Sequence, residues 1–190
     1  MKTMRTTILT VLLSVAAAPS PAEEIAVHFD PRHTEVNFTL GDVLHTVHGL
    51  FRLKSGEMRF DAMTGKASGQ LIVDAGSGNS GNSSRDGRMN RNILESKRYA
   101  EIEFTPERVD GRLNPDGDSD VQVHGVFTIH GTTHELVLPV RVHISGQQFT
   151  AATRFTVPYV KWGMKNPSTL FLRVRDQVQI DIQASGRITP

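Results

Sequence analysis

From residue 25 onward, apolar and polar residues alternate with a period of two along most of the chain. A strand turns successive side chains to opposite faces, so this alternation predicts strands with one dry face and one wet face. Val36, Phe38 and Leu40 alternate with Glu35, Asn37 and Thr39, and Val47, Gly49, Phe51 and Leu53 with His48, Leu50 and Arg52. The same holds for Met58 and Phe60, for Leu71 and Val73, and for Ile102 and Phe104. It continues in Val121 to Ile129, Leu136 to Ile144, and Val178 to Ile182. Turn signals at Lys54-Ser55-Gly56, Thr64-Gly65-Lys66, Asp110-Gly111, Asp116-Gly117, His130-Gly131 and Ser145-Gly146 separate the runs. Such short connections favour antiparallel neighbours. Pro139 inside a good strand predicts an edge position or a bulge.

Two stretches break the rhythm. Residues 76–84 (GSGNSGNSS) read as a polar loop, and Arg85 to Leu94 as a short helix whose start pairs Ser83 with Asp86 in a capping-box variant. Tyr159 to Ser168 is irregular and carries Trp162, Gly163 and Pro167. No internal repeat and no domain-separating linker is visible. The expectation is one all-β domain of roughly eight to ten antiparallel strands, either a sheet closed on itself or a sandwich. In a barrel of about eight strands the inward face either fills with side chains or leaves a pocket for one ligand.

The beginning of the chain differs from the rest. Lys2 and Arg5 precede an apolar run, Ile8 to Ala18, that is too short to span a bilayer. Ser20 and Ala22 then stand at the minus-three and minus-one positions of a cleavage site, so residues 1–22 read as a secretory signal peptide and 23–190 as the mature domain, with a retained N-terminal anchor as the rival reading. Export to the periplasm or beyond the cell follows as an expectation. The leader holds two basic residues and no acids, so the net charge of +1 over the whole chain becomes −1 without it. A near-neutral domain lacks the basic excess that nucleic acid requires. The chain has no cysteine, which excludes disulfides, thiolate metal sites, a cysteine nucleophile and a lipidated-cysteine anchor.

The residues offer little for catalysis. His45 and His48 are three apart, which in a strand sends them to opposite faces. His130 and His134 flank a turn with only Glu135 nearby. Neither pair has metal-ligand spacing, and no metal or cofactor is expected. Asp116, Asp118 and Asp120 start like a calcium loop, but Val121 and Phe127 occupy the positions where that loop requires Gly and Glu. Serines 77, 80, 83 and 84 lack a nucleophile elbow. Glu101 and Glu103 share one wet face. Arg85, Arg88 and Arg91, spaced by three, form one basic strip on a helix, with Lys97 and Arg98 following. The strip is either a solvated face or a positive rim for anionic lipid headgroups or a phosphorylated ligand.

The order of these segments resembles the YceI-like family of exported, lipocalin-like proteins, over about Val27 to Ile188. The resemblance rests on Phe29-Asp30-Pro31-Arg32-His33-Thr34-Glu35-Val36-Asn37-Phe38, on Val47-His48-Gly49-Leu50-Phe51 with Gly56, and on Ser84-Arg85-Asp86 followed by Met89. It continues in Tyr99 to Phe104, in Gly125 to His134 closing on Leu138-Pro139-Val140, and in Trp162-Gly163-Met164. Ala100 stands where the family more usually has Pro, and GSGNSGNSS replaces a more strand-like segment.

The resemblance implies a single antiparallel lipocalin-like β-barrel of about eight strands with a short helix near residues 85–94. Its pore would hold a long isoprenoid lipid of quinone or polyprenol type, without catalysis. The dry-face residues expected to line that pore are Val36, Phe38, Val47, Phe51, Phe60, Leu71, Val73, Ile102, Phe104, Phe127, Ile129, Leu138, Val140, Phe155, Val178 and Ile180, with Tyr159 and Trp162 closing one end. Arg85, Arg88 and Arg91 are the expected rim. The expected partners are an isoprenoid lipid and transient contact with an anionic membrane surface, with room for a homodimer. Two rival readings are a filled barrel serving a stress-response or structural role, and a histidine-dependent hydrolase.

Overall fold

The alternating segments form nine antiparallel strands in the computed structural model, which describes residues 24–41, 46–169 and 173–189. The proposed leader and His45 lie outside the described residues. The strands are β1 (Glu24–Phe29), β2 (Glu35–Gly41), β3 (Thr46–Asp61), β4 (Ala67–Asn79), β5 (Glu101–Asp110), β6 (Gly117–Ile129), β7 (Thr132–Ser145), β8 (Gln148–Val157) and β9 (Val178–Thr189). They follow the order β1-β3-β2-β9-β8-β7-β6-β5-β4, and β3 also pairs with β4, which closes the sheet into a barrel. Strands β2 to β9 are its eight staves. Closure gives each stave a partner on both sides over part of its length, and this chain must stabilise itself by such pairing and by burial, since it has no cross-link to draw on.

The ninth strand shares a stave. β2 pairs with the first half of β3 and of β9, while β1 pairs with their second halves, from Ala26 opposite Thr189 to Phe29 opposite Gly186. Both run antiparallel to the same neighbours. β1 and β2 are therefore two pieces of one stave, broken by the turn Asp30–Thr34. The break is sealed by Asp30 N–H donating to Ser185 O at 2.8 Å and by Ser185 Oγ donating to His33 O at 3.1 Å.

Three local readings are corrected. Lys54-Ser55-Gly56 is not a turn: β3 runs straight through it for 16 residues with one extra residue between Leu53 and Ser55 relative to β4. That bulge switches the inward phase from odd to even positions. Gly56 is needed there because a Cβ would come within 2.9 Å of Phe29. Residues 76–79 are not free loop but the end of β4. The ladder lapses between Asp74 and Asn79, where Ser77 Oγ accepts from Arg52 N–H at 2.8 Å, and Gly78 packs so closely under Met89 and Phe51 that a Cβ would lie 2.3 Å from the Met89 side chain. The helix α1 is Ser83–Arg88, starting two residues earlier than expected, and its N-cap is Asn82, whose side chain accepts from Arg85 N–H at 3.0 Å. Asp86 instead accepts from Ser80 N–H at 3.0 Å and from the Ser80 hydroxyl. A π-helical turn, Met89–Ile93, follows.

Pro139 sits opposite Gln122 in the β6–β7 ladder. On its other side β7 pairs with β8 only from Val140 to Ser145, so the proline stands just beyond that ladder, where no bond to β8 is needed. Above it β7 and β8 splay apart. The segment 158–168 fills the space, with Tyr159 and Met164 buried and Trp162 packed on His134 and Phe127.

The outward face is charged and paired across strands. His28 faces Glu57, Asp118 faces His143 at 2.7 Å, Asp120 faces Arg141 at 3.2 Å, and Arg154 faces Asp181. Such exposed pairs contribute a few tenths to about 1 kcal/mol each. Two of the three aspartates of the calcium-like run are thereby occupied. Glu101 pairs with Lys54, and Glu103 accepts from Gln70 at 2.8 Å. A membrane-spanning barrel carries the reverse pattern, apolar outside and polar inside.

Candidate functional site: an apolar channel through the barrel

Because the inward positions of the eight staves are mostly apolar and the barrel is wide, its interior does not fill. A cavity of about 600 Å³ runs along it, within the range of small-molecule sites. Two apolar clusters wall it. The one nearer α1 gathers Val36, Phe38, Phe51, Phe127, Ile129 and Val157 with Leu94, Tyr159 and Met164. The other gathers Val27, Phe60, Val109, Val121, Val123, Ile144 and Phe149. Phe104 packs against both, joining them at mid-height.

The polar residues bordering the cavity concentrate at one end. Ser80, Asn82, Ser84, Arg85 and Arg88 come from the β4–α1 connection and from α1, and Pro167 and Val174 face them from the long β8–β9 connection. Arg85 is held in place, donating through Nε to Ser80 Oγ at 2.7 Å and through its terminal nitrogen to Ser80 O at 2.8 Å. Arg88 is exposed at the rim. Met89, Ile93 and Leu94 carry the wall inward from the helix. At the far end, Leu113 of the β5–β6 connection borders the cavity.

Sixteen dry-face residues were expected along this wall on sequence grounds, together with Tyr159 and Trp162. All of them border the cavity except Trp162. Trp162 instead lies over the splayed β7–β8 region, stacked on His134. Tyr159 is buried, and its hydroxyl donates to Arg175 O at 2.7 Å. Burial, aided by the Asp176 carboxylate, pushes its phenol up to about 12. Of the three rim arginines, Arg85 and Arg88 border the cavity and Arg91 does not.

Several lining residues escaped the sequence reading. Val27, Phe29 and Val109 lie in strands interrupted by charges, and Phe149, Ala151 and Thr153 in β8, whose small and hydroxyl residues weaken the alternation. For the β8 residues the signal was the faint period of two from Phe149 to Val157.

Histidines are kept out of the channel: among the described residues none borders it. His33 pairs with Asp30, His124 with Asp110, His143 with Asp118, and His130 packs on Tyr99. His48 contacts Thr39 Oγ1 at 3.1 Å. No cluster of three or more metal-ligating side chains forms among the described residues. The arrangement can enclose an apolar chain; it brings no acid, base and nucleophile together.

An eight-stave antiparallel barrel around an open, apolar interior sets the fold class of this chain. Within that class, a family model described as the YceI-like domain matches residues 28–185, and the chain belongs to this family. A search of curated proteins finds no match. Among solved structures the fold is similar to Burkholderia cenocepacia BcnA, with a TM-score of 0.68 and 17% identity over 83% of this chain and 99% of that one. It is also similar to a polyisoprenoid binding domain from Saccharophagus degradans implicated in plant cell wall breakdown, with a TM-score of 0.65 and 17% identity over 86% and 98% of the two chains. A Campylobacter jejuni YceI protein matches with a TM-score of 0.54 and 12% identity over 97% and 92%.

Proposed function

We propose that this protein is a non-catalytic binder of a long-chain isoprenoid lipid, which it holds in the barrel channel while carrying or storing it outside the cytoplasm. The observation that carries the reading is the channel itself: about 600 Å³, walled mainly by apolar side chains from every stave, with most of its polar residues gathered at one end. Moving a hydrocarbon chain out of water into such a wall is favourable by about 0.8 kcal/mol per methylene, so binding needs no elaborate polar chemistry. Family membership supports the reading, as does the likeness to a domain named for polyisoprenoid binding. The open interior speaks against a filled structural barrel, and among the described residues no histidine borders the channel.

At the rim, Arg85 and Arg88 would meet a polar headgroup or an anionic membrane surface during exchange. The leader-like residues 1–22 support export. Native mass spectrometry after mild purification tests the proposal: the protein should carry a co-purifying isoprenoid, or take one up when it is added. A protein that does neither is not a lipid binder.

A further inference from the structure

The barrel wall is breached above Val140. The β7–β8 ladder begins at Val140 opposite Thr153 and runs only toward the base, yet β7 reaches back to Thr132 and β8 on to Val157. Both strands stay paired on their other sides, β7 with β6 as far as Thr132 and β8 with β9 as far as Val157. The breach is thus a slit between two supported strands, and the strap formed by residues 158–168 fills it. Tyr159 and Met164 of the strap are buried and border the channel.

The strap is fastened unequally along its two sides. Toward β9 it is hydrogen-bonded: Val160 N–H donates to Asp176 O at 3.4 Å, the Tyr159 hydroxyl to Arg175 O at 2.7 Å and Asn166 Nδ2 to Val174 O at 3.2 Å. Toward β7, no hydrogen bond or ion pair joins residues 158–168 to β6 or β7 among the described residues. That side is held by apolar and ring contact, with Trp162 stacked on His134 at 3.8 Å and tilted on Phe127 at 5.8 Å. Open space surrounds the next residue: a Cβ on Gly163 would meet nothing within 4 Å. A second breach, where β4 and β5 pair only from Leu71 to Asp74, is bolted instead. There Ala75 N–H donates to Ala100 O at 3.0 Å and Asn90 Nδ2 to Gly76 O at 3.1 Å.

Resting on the proposed lipid-binding function, we propose that the strap is a side gate of the channel, hinged along its β9 side and latched by Trp162 on His134 and Phe127. Pro167, near the strap's end, borders the channel together with Arg85 and Arg88, so the slit runs into the mouth. An opened gate lets a long chain be laid in sideways through the slit, rather than threaded end-first past Met89, Ile93 and Leu94. The latch breaks as the cargo passes and re-forms behind it. It therefore sets the barrier to entry and exit and barely alters affinity, and such strap motions govern exchange in many binding sites.

The test follows retinol, a fluorescent isoprenoid alcohol, into and out of delipidated protein by stopped flow. Trp162→Ala should raise entry and exit rates about tenfold, the order of one aromatic pair's strength, while Kd moves less than about threefold. Trp162→Phe keeps a ring on His134 and should stay near wild type, which guards against an effect of misfolding. His134→Cys with Trp162→Cys, in a chain that has no other cysteine, should load fast as free thiols. Once bridged by dibromobimane, whose fluorescence reports the bridge, it should load about tenfold more slowly or worse. Wild-type rates in Trp162→Ala, or unchanged loading after bridging, overturn the gate and leave lipid binding standing. So does faster exit with unchanged entry, which makes Trp162 a plain wall contact. A wild type that takes up no retinol overturns the lipid-binding function and the gate with it.

Discussion

The indole of Trp162 lies flat on the imidazole of His134, ring centroids 3.8 Å apart and planes 8° from parallel. This contact fastens the irregular segment 158–168 over the place where β7 and β8 part. Burial holds His134 below the ordinary histidine value of 6.5. A folded-state pKa below the unfolded one means that the contact contributes fully above about pH 6.5 and is lost as pH falls through the lower, folded value. Trp162 is the only tryptophan in the chain, so its fluorescence should change on acidification with a midpoint below 6.5, and His134→Phe should abolish that change. A midpoint at or above 6.5, or the same titration in the variant, would count against the assignment.

Gly186 should not tolerate a side chain. A Cβ there would stand 2.0 Å from His28 O and 2.9 Å from the Phe149 ring, so Gly186→Ala must push β1 off β9. Overpacking of this kind costs about 1–3 kcal/mol or more. Chemical denaturation should show at least that loss, with hydrogen exchange accelerating first in β1.

Asn82→Ala should loosen the rim without unfolding the barrel. The side chain caps a helix of only six residues, and losing such a cap costs about 1 kcal/mol. Exchange at the Arg85 amide should speed up about fivefold or more while amides of β6 and β8 are unaffected. Uniform acceleration through the barrel would contradict a local role.

Charge reversal tests the rim. Arg88→Glu with Arg91→Glu should weaken binding to vesicles containing anionic lipid, and added salt should weaken wild-type binding in the same way. Arg88 borders the channel whereas Arg91 does not, so Arg88→Glu alone should account for most of any effect on lipid loading. Vesicle binding that ignores both charge and salt would leave these arginines an ordinary solvated face.

The dry faces were legible because period-two alternation maps directly onto the wall of a barrel. Even the β3 bulge is written in the residues: the apolar phase is odd from Val47 to Leu53 and even from Met58 to Phe60. What stayed hidden depended on neighbours distant in sequence. Thr153 looks like one more polar residue until pairing with Ile182 turns it inward. Trp162, in a segment without periodicity, has no direction that spacing could reveal. Arg91 was placed on the strip by assuming one regular helix through Leu94. The π-helical turn, closed by Leu94 N–H donating to Met89 O at 2.9 Å, adds a residue to that turn and carries Arg91 out of phase.

The shared stave has a practical corollary. Glu24 opens β1 and Thr189 ends β9 at the same extremity of the barrel, where Ala26 and Thr189 pair, and α1 lies at the other. A tether joined at either Glu24 or Thr189 thus hangs from the base of the molecule. Copies immobilised through an affinity handle at either point would all stand upright, with the arginine-edged opening turned to the solution and free to load cargo.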